Sequence, residues 1–210
     1  MNTTFYGEHG IDKIIREKYF PDYGYKGTLV EVGGGTPEFL SMSKHFKDNN
    51  WRTVIVEPNP TFCNLHKQAG NELYEFACSY TNQDDVDFTV VHVNSGEVTD
   101  HSFSALSIKE SYRKISNNWV DALPKTTIKV NVRTLDSIIQ MADIKNIDIL
   151  TVDTEGWEIE VMRGLSVIQP KIVVLENVCG DPSYSKYMNE KGYKHERNVS
   201  GNDIYKYDKF

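Results

Sequence analysis

A chain of 210 residues with a formal net charge of −7 is long enough to bury a substantial core as one α/β domain, without disulfide or metal staples. The acidic balance, with no long lysine or arginine run and no basic helix, argues against a nucleic-acid surface, and no apolar run is long enough to span a membrane. Cys63, Cys78 and Cys179 are odd in number and lack C-x-x-C spacing, which argues against a disulfide frame or a zinc site. With no signal segment ahead of the sequons at Asn2 and Asn198, the expected compartment is the cytoplasm.

In chain order, Ile11, Ile14, Ile15 and Tyr19 form a helical stripe that predicts a helix over 11–20. Thr28-Leu29-Val30-Glu31-Val32-Gly33-Gly34-Gly35-Thr36-Pro37-Glu38 then reads as a buried strand running into a tight glycine turn. Thr36 is placed to cap a helix expected over 39–46, with Pro37 in its first turn. Open α/β sheets hold a nucleotide-like cofactor at such a place. A dinucleotide fingerprint wants glycine at the sixth position from Gly33, and Glu38 stands there instead. The turn therefore suits S-adenosylmethionine better than NAD.

Residues 52–58 form a second buried strand, 61–68 a helix, and 73–79 a third strand weakened by Glu72 and Glu75. From 84 to about 129 the rhythm breaks, with a β-rich piece at 86–93 and a polar, serine-rich loop at 95–107. Insertions of this kind carry substrate specificity or nothing at all. A strand at 129–132, a helix at 135–141, a strand at 148–153 and a helix at 157–163 stopped by Gly164 follow. A strand at 171–176, a helix at 184–191 and a hairpin of 193–199 with 204–207 close the chain. The expected fold is α/β, a doubly wound, mostly parallel Rossmann-like sheet with a C-terminal antiparallel hairpin, in a single domain over 1–210.

Four of these strands end in acids, Glu31, Glu57, Asp153 and Glu176, and a doubly wound sheet gathers its strand ends on one rim. Glu57 stands about 20 residues after the glycines, the place from which a carboxylate accepts both ribose hydroxyls. Glu31 is placed to hold the glycine turn or a ligand ammonium group. An acidic rim also favours a sulfonium over a pyrophosphate. Asp153 with Glu176 and Asn177, on what should be neighbouring strands, offers two carboxylates and an amide carbonyl to a hard cation such as Mg²⁺ or Mn²⁺. A hydrogen-bonded strand-end cluster without metal is the alternative.

Together these segments resemble the FkbM family of S-adenosylmethionine-dependent methyltransferases. The resemblance rests on Leu29-Val30-Glu31-Val32-Gly33-Gly34-Gly35, Val56-Glu57-Pro58-Asn59-Pro60, Val132-Arg133-Thr134-Leu135-Asp136 and the run from Ile147 through Asp153-Thr154-Glu155-Gly156-Trp157-Glu158. Val161-Met162-Arg163-Gly164 and Pro170-Lys171-Ile172-Val173-Val174-Leu175-Glu176 extend it. It implies a class I methyltransferase fold, methyl transfer to oxygen, and cofactor contacts at Glu31, Gly33, Gly35 and Glu57. Gly34 and Pro58 adjoin these, and Cys78 and Ser79 lie where this fold usually holds adenine. Asp153 with Glu176 and Asn177 also resembles the metal triad of catechol O-methyltransferase and of metal-dependent sugar methyltransferases, many of which carry a lysine or histidine three positions after the first aspartate. Gly156 stands there in this chain, so the proton falls to Glu155, His101 or the metal beside Asp153.

The expected activity is S-adenosylmethionine-dependent O-methylation of a small polar acceptor, a sugar hydroxyl of a glycan or glycosylated product, assisted by a divalent metal. An NAD-linked oxidoreductase and an inactive methyltransferase-like binding domain are the competing readings. No nucleic-acid or membrane partner is expected, and the oligomeric state stays open.

Overall fold

Strands that are apolar at successive positions need cover on both faces, and the segments between them supply it. The computed structural model describes residues 2–93, 100–115 and 119–210, with 100–102 described by backbone alone. A short 3₁₀ turn at Glu8–Gly10 leads into α1 (Ile11–Tyr19), β1 (Thr28–Val32), α2 (Lys44–Asp48), β2 (Arg52–Val56), α3 (Pro60–Gln68), β3 (Glu72–Tyr74) and β4 (Ala77–Cys78). Next come β5 (Gln83–His92), β6 (Asp100–Ala105), α4 (Glu110–Ile115), α5 (Trp119–Ala122) and β7 (Lys125–Arg133). The chain ends with α6 (Leu135–Met141), β8 (Ile149–Val152), α7 (Glu158–Arg163), β9 (Ile172–Glu176), α8 (Pro182–Glu190), β10 (Tyr193–Val199) and β11 (Asn202–Tyr207).

Seven strands form one sheet in the order β10-β11-β9-β8-β1-β2-β3. From β9 to β3 the pairings are parallel, and the β10–β11 hairpin adds the antiparallel edge. This is the doubly wound sheet expected from the sequence. Period two assigns its faces. Val30, Leu150, Val152, Val173 and Leu175 pack with Leu135 and Ile138 of α6, Val161 of α7 and Met188 of α8. Leu29, Ile149, Ile172 and Val174 turn the other way, onto Ile11 and Ile15 of α1, Phe46 of α2 and Trp51. Each such fully buried side chain contributes about 1.5–3 kcal/mol relative to exposure. Several helices begin where a side chain satisfies a free N–H: Asn59 and Asp181 cap α3 and α8 ahead of a proline, and Thr134 caps α6.

β1 connects to β2 on one side while β8 pairs with its other edge, so strand order reverses between β1 and β8. A crevice at the carboxyl ends follows from that reversal. Glu31, Thr151 and Glu176 share the parity of Leu29, Ile149 and Val174, which sends them out on the α1–α2 face.

Two expected elements change. The helix expected over 39–46 is reduced to α2, because residues 36–43 form a flap instead. Thr36 does not cap a helix; its hydroxyl donates to the Phe39 carbonyl. Leu40 takes φ 60° and bridges to Gly7, and the buried Glu31 carboxylate accepts the N–H groups of Met42 (2.8 Å) and Ser43 (3.2 Å). A buried carboxylate has to be satisfied, and the amides just ahead of α2 are free to meet it where those inside a helix are already used.

The strand expected over 73–79 is divided between two sheets. β3 completes the large one, and β4 joins a four-stranded sheet of order β4-β7-β5-β6. The insertion is therefore structured: β5 pairs antiparallel with β6 and β7 over a small core of Ala77, Phe88, Val90, Val130 and Val132. The strand expected at 129–132 is the end of β7, and part of the expected 95–107 loop is β6. Residues 95–99 of that loop lie outside the described residues. Among the described residues, no helix is long and apolar enough to cross a membrane.

Candidate active site

A cavity of about 600 Å³ opens at the carboxyl ends of β1, β2, β8 and β9, and β5, β6 and α4 supply its opposite wall. Its lining includes Glu31, Gly33, Gly34, Gly35, Glu57, Pro58, Cys78, Asp153, Glu155 and Glu176. The glycines are small for different reasons. A Cβ on Gly33 (φ 81°) would stand 1.8 Å from the Asp153 carbonyl oxygen, and one on Gly34 would stand 2.4 Å from Ile55. Only Gly35 (φ 50°) faces open space, and its N–H donates to Glu57 Oε2 at 3.0 Å. Backbone packing, rather than ligand approach alone, thus sets the first two glycines.

Glu57 Oε1 also accepts the Asn59 N–H at 2.7 Å. Burial pushes the Glu57 and Glu31 carboxyls up to about 7 in spite of these bonds. Of the residues expected near adenine, Cys78 lines the cavity with Phe62, Phe76 and Ala77. Ser79 does not reach it: its N–H donates to the Arg133 carbonyl, and its own carbonyl abuts Gly164.

The acids at β8 and β9 meet. Asp153, Glu155 and Glu176 each offer a carboxylate oxygen within 4.8 Å of the others. Glu155 is 8% exposed, takes φ 57°, and its Oε2 is buried with no hydrogen-bond partner. Asp153 is exposed by accessible area and lines the cavity. Burial first, and the neighbouring carboxylates second, raise Asp153 and Glu155 well above the usual carboxylate range. Glu176 rises to about 7 for the same leading reason. Three carboxylates so close disfavour one another's ionisation.

Asn177 is not part of this cluster, contrary to the sequence expectation. Successive residues at a strand end point to opposite sides, so Glu176 enters the cavity and Asn177 leaves it. The Asn177 amide donates to Asp203 (2.8 Å) and to the Asp181 carbonyl (3.2 Å), and its oxygen accepts the Asp181 N–H (2.8 Å). Glu155 occupies the third position instead.

His101 lies on β6 opposite Val91, and its side chain lies outside the described residues. Gly156 has a definite role. At φ 94°, a Cβ there would come 2.8 Å from the ring of Tyr112, so the space a lysine or histidine would need is filled by an α4 aromatic. Tyr112 is buried and its hydroxyl donates to Glu176 Oε2 at 2.6 Å. Burial and the surrounding carboxylates raise its phenol, which keeps it a neutral donor. The arm from Ser107 to α4 is clasped elsewhere too: Trp157 Nε1 donates to the Ser107 carbonyl, and Lys109 pairs with Glu160 at 3.1 Å over the Trp157 ring.

Glu158, which the sequence reading passed over, shapes the 153–156 loop. Its Oε1 accepts the N–H groups of Thr154 (2.9 Å) and Gly156 (3.0 Å), and its Oε2 accepts the Tyr184 hydroxyl (2.6 Å). Its place inside the Asp153-to-Glu158 block was the available signal. Tyr112 offered none, being one aromatic in an irregular insertion.

The reversal between β1 and β8, the glycine turn behind β1 and the buried acid after β2 define a class I methyltransferase-like fold. The family model described as the methyltransferase FkbM domain matches residues 28–194, and the chain belongs to that family. Among solved structures, it is similar in fold to the crystal structure of Methyltransferase FkbM from Methylobacillus flagellatus KT, with a TM-score of 0.50 and 12% identity. That match covers 90% of this chain and 46% of the other, so the chain spans less than half of that protein's length. No curated protein matches the sequence significantly.

Proposed function

We propose that this chain transfers a methyl group from S-adenosylmethionine to a hydroxyl oxygen of a small acceptor, a sugar hydroxyl of a glycosylated product being the acceptor read from the sequence. A divalent cation, Mg²⁺ or Mn²⁺, is proposed at Asp153, Glu155 and Glu176. The observation that carries the reading is the buried, unpartnered Glu155 oxygen converging with two further carboxylates directly behind the glycine turn. Oxygen-only ligands suit a hard cation, and such a charge would restore ionisation to the three acids. When bound, the cation would lower the pKa of the acceptor hydroxyl and orient its lone pair.

The chain's own groups supply the rest. Glu57 would accept the ribose diol, Glu31 holds the flap, and Pro58 and Cys78 would wall the adenine side. In an in-line transfer the acceptor oxygen would bond the methyl carbon as the carbon–sulfur bond breaks with its electron pair left on sulfur, and the hydroxyl proton would pass to the Glu155 oxygen not used as a ligand. Alignment dominates such an in-line displacement, and the base is secondary.

Calorimetric titration tests the donor: S-adenosylmethionine binds and NAD does not, and absence of S-adenosylmethionine binding overturns the reading. For the centre, Asp153→Asn is expected to lower methyl transfer and Mn²⁺ affinity more than about 100-fold, beyond what loss of an outer contact costs. A metal dependence that survives this substitution refutes the cation site. Cofactor binding with no turnover on any sugar or glycoside would favour an inactive binding domain.

A further inference from the structure

The mouth of the cavity differs in character from its acidic floor. Phe39, 74% exposed, stands there with Leu40, Ile115 and Val178, which are among the exposed large apolar side chains of the described surface. Apolar residues scattered singly on a surface need no explanation, but a set gathered around one opening does. They come from separate elements that form two lips. Phe39 and Leu40 belong to the flap after the glycine turn, and Ile115 to the arm. Both lips are anchored. Glu31 and the Gly7 bridge hold the flap, while Trp157, Lys109 and Tyr112 clasp the arm. Phe103 and Leu106 continue the apolar wall inward.

Charge narrows the occupant further. Glu8, Glu31, Glu57, Asp153, Glu155 and Glu176 line the cavity, and among the described residues no lysine, arginine or histidine does. Residues 94–102 and 116–118 contain no lysine or arginine and one histidine, His101. A phosphate or carboxylate on the acceptor would find no basic side chain among these lining residues to pair with. A bare, fully hydroxylated ring would leave the lips facing water.

We infer that the acceptor is amphiphilic and uncharged, with one hydroxyl edge at the acid centre and an apolar body held between the Phe39–Leu40 flap and the Leu106–Ile115 arm. An aryl or alkyl glycoside fits, and a free sugar, a sugar phosphate or a nucleotide sugar does not. This inference rests on the proposed methyl transfer.

The test uses the whole chain saturated with S-adenosylhomocysteine and titrated with 2-naphthyl β-glucoside, glucose and glucose 6-phosphate. The naphthyl glucoside should bind at least about tenfold more tightly than glucose, and glucose 6-phosphate not at all. Phe39→Ser and Ile115→Ser, both surface changes, should each weaken the naphthyl glucoside about tenfold and leave S-adenosylhomocysteine affinity unchanged. No binding of the glucoside, equal affinities, or indifference to both substitutions overturns the inference. Methyl transfer on the same compounds separates it from the reading beneath it. Variant-sensitive glucoside binding without transfer counts against methyl transfer alone, whereas transfer to free glucose unaffected by either substitution counts against the amphiphilic acceptor alone.

Discussion

The two sheets fix their halves of the cavity by different means. In the large sheet, position is set by backbone: Gly33 abuts the Asp153 carbonyl, its N–H bonds the Val56 carbonyl at 2.9 Å, and the Asp153 N–H bonds Val32 at 3.0 Å. On the side of the small sheet and its arm, position depends on side-chain contacts, such as Tyr112 on Glu176 and Trp157 on Ser107. The half of the cavity at the glycine turn is thus inseparable from the fold. The half on the small-sheet side rests on contacts that can be exchanged singly.

Substitutions can break or sharpen that contrast. The largest effect is expected for Gly33→Ala, where both the positive φ and the 1.8 Å approach forbid a Cβ; a loss of about 3 kcal/mol or more in urea unfolding should accompany loss of cofactor binding. A stable, cofactor-binding Gly33→Ala would dissolve the contrast. Glu158→Ala, which strands two amides and the Tyr184 hydroxyl, should cost about 2–4 kcal/mol by the same measurement.

Tyr112→Phe should act on chemistry with little effect on the fold. Unfolding should move by about 1 kcal/mol or less, while Mn²⁺ affinity, read by calorimetry, falls about tenfold. Unchanged Mn²⁺ affinity would reduce Tyr112 to a packing residue.

The last effect is a pH dependence. Glu57 has an ordinary carboxyl value of 4.5 that burial lifts to about 7 in the fold. The folded chain therefore holds that proton more tightly, and the stability it contributes is full below about pH 4.5 and lost as pH rises through about 7. Glu57→Gln removes this slope, so its Tm should fall by about 5–10 °C less than the wild-type Tm between pH 5 and pH 8. A parallel fall in both proteins would mean that Glu57 titrates as if exposed.

The contrast between the sheets also explains what the sequence could show. β1, β2, β8 and β9 are buried on both faces and read as apolar runs, so their acids could be placed on one rim. α6 occupies the 135–141 range expected of it. The errors fall where a longer-range partner decides the local shape. The flap at 36–43 follows a buried carboxylate from the strand before it, and the 73–79 segment splits because β7 pairs with β4. Glu155 depends on a positive φ inside a loop held by Glu158, which spacing does not encode. Asn177 could have been excluded, since alternation along β9 already puts it opposite Glu176. Tyr112 reaches the acids only through the packing of α4, which no local pattern reveals.

The contact between Gly33 and Asp153 has one more consequence. An in-line displacement is sensitive to errors on the order of 1 Å in the distance between donor and nucleophile. Here the turn that would carry the donor and the loop that carries the acids touch through main-chain atoms, with no rotatable side chain between them. If the turn carries the donor, the spacing between the two backbones is a fixed gauge, and an acceptor of a different shape would be accommodated by the lips rather than by lengthening the gauge.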